Sequence, residues 1–99
     1  MVLILFTSMP LENVEQASKQ MMELPQMPDY IKLKGHYSKV IKEKGAQSIS
    51  ILGFEKSRMA EAYEVLSDNL NSFSNIPGFT YTIEVWDRTL DLLKKAGIA

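Results

Sequence analysis

The fold of this chain is decided by residues 2–7, VLILFT, which predict an apolar strand. Because side chains alternate along a strand, one face carries Val2, Ile4 and Phe6, and the other carries Leu3 and Leu5. A layer of helices on a sheet covers only one of those faces. The second face must be covered by something else, since exposed apolar patches of this kind usually mark interfaces.

Composition predicts one ordinary soluble globular domain spanning residues 1–99. The 99 residues are 45% hydrophobic and 23% charged, with a net charge of −1 and no cysteine. This charge balance argues against a general polyanion binder, and the cysteine count excludes disulfides and thiolate metal sites. The absence of cysteine fits a reducing setting, so we expect a cytoplasmic location. The longest apolar run is too short for a membrane span and lacks the pattern of a signal peptide.

Amphipathic helices are predicted after the first strand, after the third strand and near the end of the chain. Ser8, Ser57 and Asp87 are their candidate N-caps, and Pro10 suits the first turn of the first helix. Apolar side chains at helical spacing form one stripe in each of the two longer helices. The stripes are Leu11, Val14, Ala17, Met21 and Leu24, then Met59, Tyr63, Leu66, Leu70 and Phe73.

A hairpin is predicted between the two longer helices. Residues 30–41, YIKLKGHYSKVI, are typical of a long edge strand whose lysines block edge-to-edge pairing. Gly45 is free to adopt a positive φ and closes the turn into the third strand, QSISILGF. Alternation places His36 on the face opposite Leu33 and Tyr37. The alternation of apolar side chains in this second strand is offset by one residue from the alternation in the last strand. Either a bulge therefore lies near Gly35 or the facing of His36 is inverted.

The last strand lies within residues 76–86, IPGFTYTIEVW, and also has two different faces. Phe79, Tyr81, Ile83 and Val85 belong to a core. The opposite face carries Thr80, Thr82, Glu84 and Trp86, a mixture of hydroxyls, one carboxylate and one indole.

The element order β-α-β-β-α-β, with a short C-terminal helix, resembles the ferredoxin-like fold. The resemblance implies an α+β architecture with a four-stranded antiparallel sheet in the order 4-1-3-2 and both longer helices on one face. Among ferredoxin-like families, the uncovered apolar face of the first strand makes the chain most similar to the dimeric α/β-barrel superfamily. That group includes isomerases, cofactor-independent monooxygenases and haem-degrading enzymes. The resemblance implies a homodimer in which two open sheet faces close a barrel.

We predict a cavity for a small organic ligand on this open face. Its predicted lining is mostly apolar with a few polar groups, which suits such a ligand. The predicted lining residues are Ser48, Ser50, Leu52, Thr80, Thr82, Glu84 and Trp86, of which Ser50, Leu52, Thr82 and Trp86 are the ligand-binding candidates. The C-terminal helix is a rival cover through Leu90 and Leu93, and it would remove the need for a shared cavity.

His36 and Glu84 are the candidate proton-transfer residues. His36 is the only histidine, which excludes multi-histidine metal sites, and we expect no metal and no cofactor. The two strands that carry these residues are opposite edges of the sheet, about 14 Å apart, so the residues can meet only across a dimer. The sequence leaves open whether the protein is an enzyme, with an isomerase-like or monooxygenase-like reaction as the catalytic option.

The non-catalytic alternative is a ligand-binding or protein-interaction module resembling the regulatory ACT class. RNA-recognition motifs share the element order, but Ile49 and Ile51 stand where aromatic rings would stack on bases. We therefore expect no nucleic-acid partner. Haem degradation in the barrel superfamily uses an asparagine together with a tryptophan and a histidine, and no asparagine lies on a predicted strand.

Overall fold

The computed structural model describes residues 1–98, so position 99, the last of the predicted domain, lies outside the described residues. Its strands and helices follow the predicted order. They are β1 (Val2–Met9), α1 (Val14–Met22), β2 (Ile31–Ile41), β3 (Gly45–Phe54), α2 (Met59–Asn71), β4 (Thr80–Trp86) and α3 (Thr89–Lys95). Short 3-10 turns precede α1 and α2. No helix within residues 1–98 is long and apolar enough to cross a membrane.

The strands form one antiparallel sheet in the order β2-β3-β1-β4. This is the predicted order 4-1-3-2 seen from the opposite edge of the sheet. The strand β1 occupies a central position, as the resemblance to the ferredoxin-like fold implies. The arrangement is a ferredoxin-like α+β fold.

The main core lies between α2 and one face of the sheet, which we call the helix side. Leu3 and Leu5 of β1 are buried there against Leu52, Ala62 and Leu66. Burying one such leucine contributes about 1.5–3 kcal/mol, so this cluster fixes α2 on the sheet. The opposite face, which carries Val2, Ile4 and Phe6, is called the open face.

A smaller cluster fixes α1. Ala17, which is the buried residue of α1, packs with Phe73 and Ile76 just beyond the end of α2. Met9 at the end of β1 and Phe79 just before β4 pack against this cluster. The helix α1 is therefore held mainly through one small side chain, near one end of the sheet.

A bulge interrupts β2. Leu33 pairs with Leu52 and Gly35 pairs with Ile51, so Lys34 has no partner in β3. An extra residue reverses the alternation of the side chains that follow it. Leu33 and His36 therefore share the helix side, and Tyr37 lies on the open face. The bulge near Gly35 is the alternative that the sequence left open, and the facing first predicted for His36 is wrong.

The predicted helix caps are wrong. Ser8 belongs to β1, where it pairs with Gln47 and Thr80. Ser57 lies inside the 3-10 turn before α2, and Asp87 instead accepts a hydrogen bond from the Nζ of Lys95 at 3.4 Å. None of the three main helices has a side-chain hydrogen bond at its N-cap residue.

A charged pair marks the start of α2. The Nη2 of Arg58 lies 2.8 Å from the Oε2 of Glu61, and its guanidinium lies 3.6 Å from the ring centroid of Tyr30. The hydrogen bond from Arg58 holds the pKa of Glu61 below its ordinary value.

This pair predicts a small pH dependence of stability. A carboxylate with a lowered pKa stabilises the fold above its unfolded pKa, and the contribution is lost as the pH falls through the folded pKa. Thermal unfolding from pH 7 to pH 3 should show a smaller decrease in midpoint for Glu61→Gln than for the original protein. Glu64→Gln, on the same helix, is the control, and an identical decrease in all three proteins would contradict the assignment.

Candidate ligand-binding site

A cleft of about 780 Å³ lies between the helix side of the sheet and the two longer helices. It exists because α1 is short and ends at Met22, before Pro25, and leaves the β2 edge without a cover. Leu33 and Val40 of β2 are 63% and 65% exposed on this side. On the helix side, buried core residues therefore occupy the space under α2, and the cleft lies towards β2.

The floor of the cleft is polar. The Nδ1 of His36 lies 2.8 Å from the Oγ of Ser50, and the Oγ of Ser38 lies 2.9 Å from that of Ser48. These residues are directly opposite each other on β2 and β3, so the sheet register itself brings them together. Thr7 of β1 continues the polar row, because it pairs with Ser48 from the other side.

The walls of the cleft are apolar. The complete α1 stripe predicted from sequence, Leu11 to Leu24, lines the cleft. Methionine is prominent, and this unbranched side chain adapts to irregular shapes. Other wall residues include Met9, Met27, Leu66, Leu70 and Phe79. A polar floor between apolar walls is the usual pattern of a small-molecule site.

His36 can act as donor or acceptor in this floor. Its Nδ1 accepts from Ser50 in one tautomer and donates to it in the other. Within residues 1–98, Nε2 forms no hydrogen bond with another side chain, so it is available to a ligand. The imidazole therefore offers one polar atom to the cleft while Ser50 holds the ring in position.

The helix side, not the open face, carries several predicted ligand residues. Ser50 pairs with Leu5 and Leu52 pairs with Leu3, which places both with the core residues of β1. The prediction that Ser48, Ser50 and Leu52 line the open face is therefore wrong. Alternation along β3 separates the serines from the isoleucines, but it does not indicate which set lies under the helices.

Thr82, Glu84 and Trp86 lie on the open face, as predicted. They pair with Phe6, Ile4 and Val2. The Nε1 of Trp86 donates to the Oε1 of Glu84 at 3.1 Å. His36 lies on the opposite face, so it cannot meet Glu84 even where two open faces pack together, and the expected shared proton-transfer pair is wrong.

The open face has a shallower hollow of about 520 Å³. Phe6, Tyr37, Ile49 and Thr82 are among the residues that line it. Leu90 of α3 is 51% exposed, and no residue of α3 lines this hollow or belongs to either buried cluster in the part of the chain described. The C-terminal helix therefore leaves this hollow uncovered.

Groups of three or more histidine, cysteine, aspartate or glutamate residues placed to hold a metal ion are absent from residues 1–98. The sequence did not predict that Ser38 and Ser48 lie beside His36 and Ser50 in one polar row. The one-residue offset in β2 was the signal that could have found it, because a bulge brings His36 and Ser38 to the helix side together.

No family model matches the chain, and no curated protein matches its sequence. Among solved structures, the chain is similar to a formyltetrahydrofolate deformylase from Pseudomonas putida KT2440, with 15% identity and a TM-score of 0.46. The similarity covers 89% of this chain and 30% of the deformylase chain, so the chain spans less than a third of that protein. A similarity of this size says nothing about activity.

Proposed function

We propose that this protein binds a small, largely apolar organic molecule with one polar end in the cleft on the helix side. The observation that carries the proposal is the His36–Ser50 pair, 2.8 Å apart, on the floor of a cleft with apolar walls. A volume of about 780 Å³ lies within the range of roughly 300–1,000 Å³ that is usual for such sites.

The polar floor indicates which end of the ligand lies deepest. Hydroxyls and imidazole can both donate and accept hydrogen bonds, so the floor suits a hydroxyl, carbonyl or carboxylate group. The remainder of the ligand would lie against Met9, Met21 and Leu70 and gain from the burial of apolar area. An aromatic or alicyclic molecule with one oxygen-bearing group fits this description.

Non-catalytic binding is the function that this site supports best. Glu84, the candidate base, lies on the other face of the sheet and cannot assist His36. The second candidate function is a proton transfer by His36 alone, favoured by its hydrogen bond with Ser50. This would be an isomerase-like reaction without a cofactor, and a cytoplasmic location remains a prediction of the sequence.

We also infer that the protein is a homodimer through its open face. Ile49 is 39% exposed there, next to Phe6 on β1 and in line with Tyr37 on β2. Monomeric proteins rarely leave an apolar sheet face without a cover. A second copy would cover this face and leave the cleft of each subunit accessible.

The binding proposal can be tested with 8-anilinonaphthalene-1-sulfonate, an aromatic probe with one polar group. Ser50→Leu fills the floor and breaks the bond to His36, so we expect its affinity for the probe to decrease about tenfold or more, measured by fluorescence titration. Thr82→Leu is the matched control, because it replaces a hydroxyl-bearing strand residue on the open face with the same leucine side chain.

The control separates the two faces of the sheet. Unchanged affinity in Thr82→Leu together with loss in Ser50→Leu supports the cleft. The opposite result would place the probe in the open-face hollow and contradict the proposal. Circular dichroism should show that both variants retain the fold.

A further inference from the structure

The titratable side chains that line the cleft are all basic. Among residues 1–98, these are His36 and Lys39, and neither aspartate nor glutamate lines the cleft. Lys39 lies on the edge strand β2 and lines both the cleft and the open-face hollow, so its ammonium group is at the mouth of the cleft. A site that has basic groups and no carboxylates favours an anionic ligand over a cationic one.

Each polar pair on the floor of the cleft leaves one proton for a ligand. Ser38 and Ser48 carry two hydroxyl protons and use one in the hydrogen bond between them. His36 and Ser50 also carry two such protons when the imidazole is neutral, and they use one in their mutual bond. When the β2 residue is the donor in each pair, Ser48 and Ser50 both keep an O–H group that can donate to a ligand. The floor can therefore present two donors from one strand.

The spacing of these two donors fits a carboxylate. Ser48 and Ser50 lie two residues apart on the same face of β3, so they are separated by about 6.8 Å along the strand. Two hydrogen bonds of about 2.5–2.7 Å, one to each oxygen of a carboxylate, span that distance. A single oxygen atom midway would lie about 3.4 Å from each hydroxyl, beyond the usual limit of about 3.0 Å for an O–H···O bond.

We propose that the polar end of the ligand is a carboxylate held between Ser48 and Ser50, so that the cleft binds aromatic or alicyclic monocarboxylates. The inference rests on the proposed binding function and specifies the chemical class of the ligand. A carboxylate only accepts hydrogen bonds, and its charge-assisted bonds are roughly twice as strong as neutral ones. Alcohols and ketones offer a single uncharged oxygen, which cannot reach both serines.

The floor is open enough to hold a charged group. Ser48 and Ser50 are half-buried, whereas His36 and Ser38 are exposed at the β2 edge. A carboxylate in this position keeps part of its hydration, which limits the cost of removing its charge from water. The ring of the ligand can still lie against the apolar walls.

The same lining disfavours amino acids and other zwitterions. An ammonium group beside the carboxylate would need an anionic partner to offset its desolvation. No side chain of that kind lines the cleft in residues 1–98, and Leu5, Leu66 and Leu70 are among the lining residues. The cleft therefore suits a monocarboxylate better than an amino acid with the same ring.

A matched pair of ligands tests the proposal by isothermal titration calorimetry at pH 7. Naphthalene-2-carboxylate should bind at least about tenfold more tightly than naphthalene-2-carboxamide, which has the same shape and no charge. The double variant Ser38→Ala/Ser48→Ala removes one of the two donors, so we expect this preference to decrease to about threefold or less. Thr80→Val/Thr82→Val, which removes two hydroxyls from the open face, is the control and should leave the preference unchanged.

The outcomes separate the carboxylate from the binding function itself. Failure of both compounds to bind the original protein would overturn the proposed function and this inference together. Equal affinities for the two compounds, or an unchanged preference in the serine double variant, would overturn the carboxylate assignment alone. A preference that is lost in the threonine double variant would place the carboxylate on the open face and also overturn it. Circular dichroism should show that both double variants are folded.

Discussion

Gly45→Ala should lower the free energy of unfolding by about 3 kcal/mol or more, since it combines backbone strain with a clash between backbone groups. Gly45 has a φ of +108° at the hairpin between β2 and β3. A Cβ at this position would overlap the backbone carbonyl oxygen of Met9, which belongs to β1 and cannot move aside independently. Urea unfolding measures the loss.

Gly97→Ala is the matched control for this prediction. Gly97 also has a positive φ, of +75°, but a Cβ there would have no atom within 4 Å. It follows α3, where a residue in the left-handed region is common, so the expected loss is about 1 kcal/mol or less. Similar losses in the two variants would mean that the positive φ, and not the clash with Met9, determines the effect at Gly45.

The order of the strands and helices could be predicted because each depends on a strong local pattern. The short apolar run of Val2–Phe6 predicts a strand, and the stripe at Leu66 and Leu70 predicts a helix on the sheet. Gly45 marked the hairpin for the same reason, since few other residues adopt its backbone conformation. These features depend on residues close together in the sequence.

The facing of β3 could not be predicted from its own pattern. Serine and isoleucine alternate from Ser48 to Ile51, and alternation defines two faces without indicating which face lies under the helices. The ordinary rule places isoleucine inside, but here Ile49 and Ile51 lie on the open face and the serines lie in the cleft. The register with β1 decides the facing, and register is a long-range property.

This inverted facing connects the two proposed surfaces. The sheet carries hydroxyls on the side where the helices leave a cleft, and it carries isoleucines on the side opposite the two longer helices. A ligand with a polar end would suit the first side, and a second copy would cover the second. The bulge at Lys34 contributes to both, because it turns His36 to the cleft and presents a lysine to the open face.

Ile49→Glu should abolish the dimer while leaving the subunit folded. Ile49 lies on the open face through which the homodimer is proposed to form, so each dimer would bury two carboxylates. Burying an unpaired charge costs several kcal/mol, and we expect the dimer to weaken about 100-fold or more in sedimentation equilibrium. Ile49 is 39% exposed in the isolated subunit, so the fold itself should tolerate the change.

Tyr63→Glu is the matched control, because Tyr63 is 42% exposed but lies on α2, away from the open face. It should leave the dimer intact. A dimer that survives Ile49→Glu, or one that Tyr63→Glu also disrupts, would contradict an open-face interface. The Ile49→Glu monomer should still bind 8-anilinonaphthalene-1-sulfonate with unchanged affinity, because His36, Ser50 and the walls of the cleft all belong to one subunit.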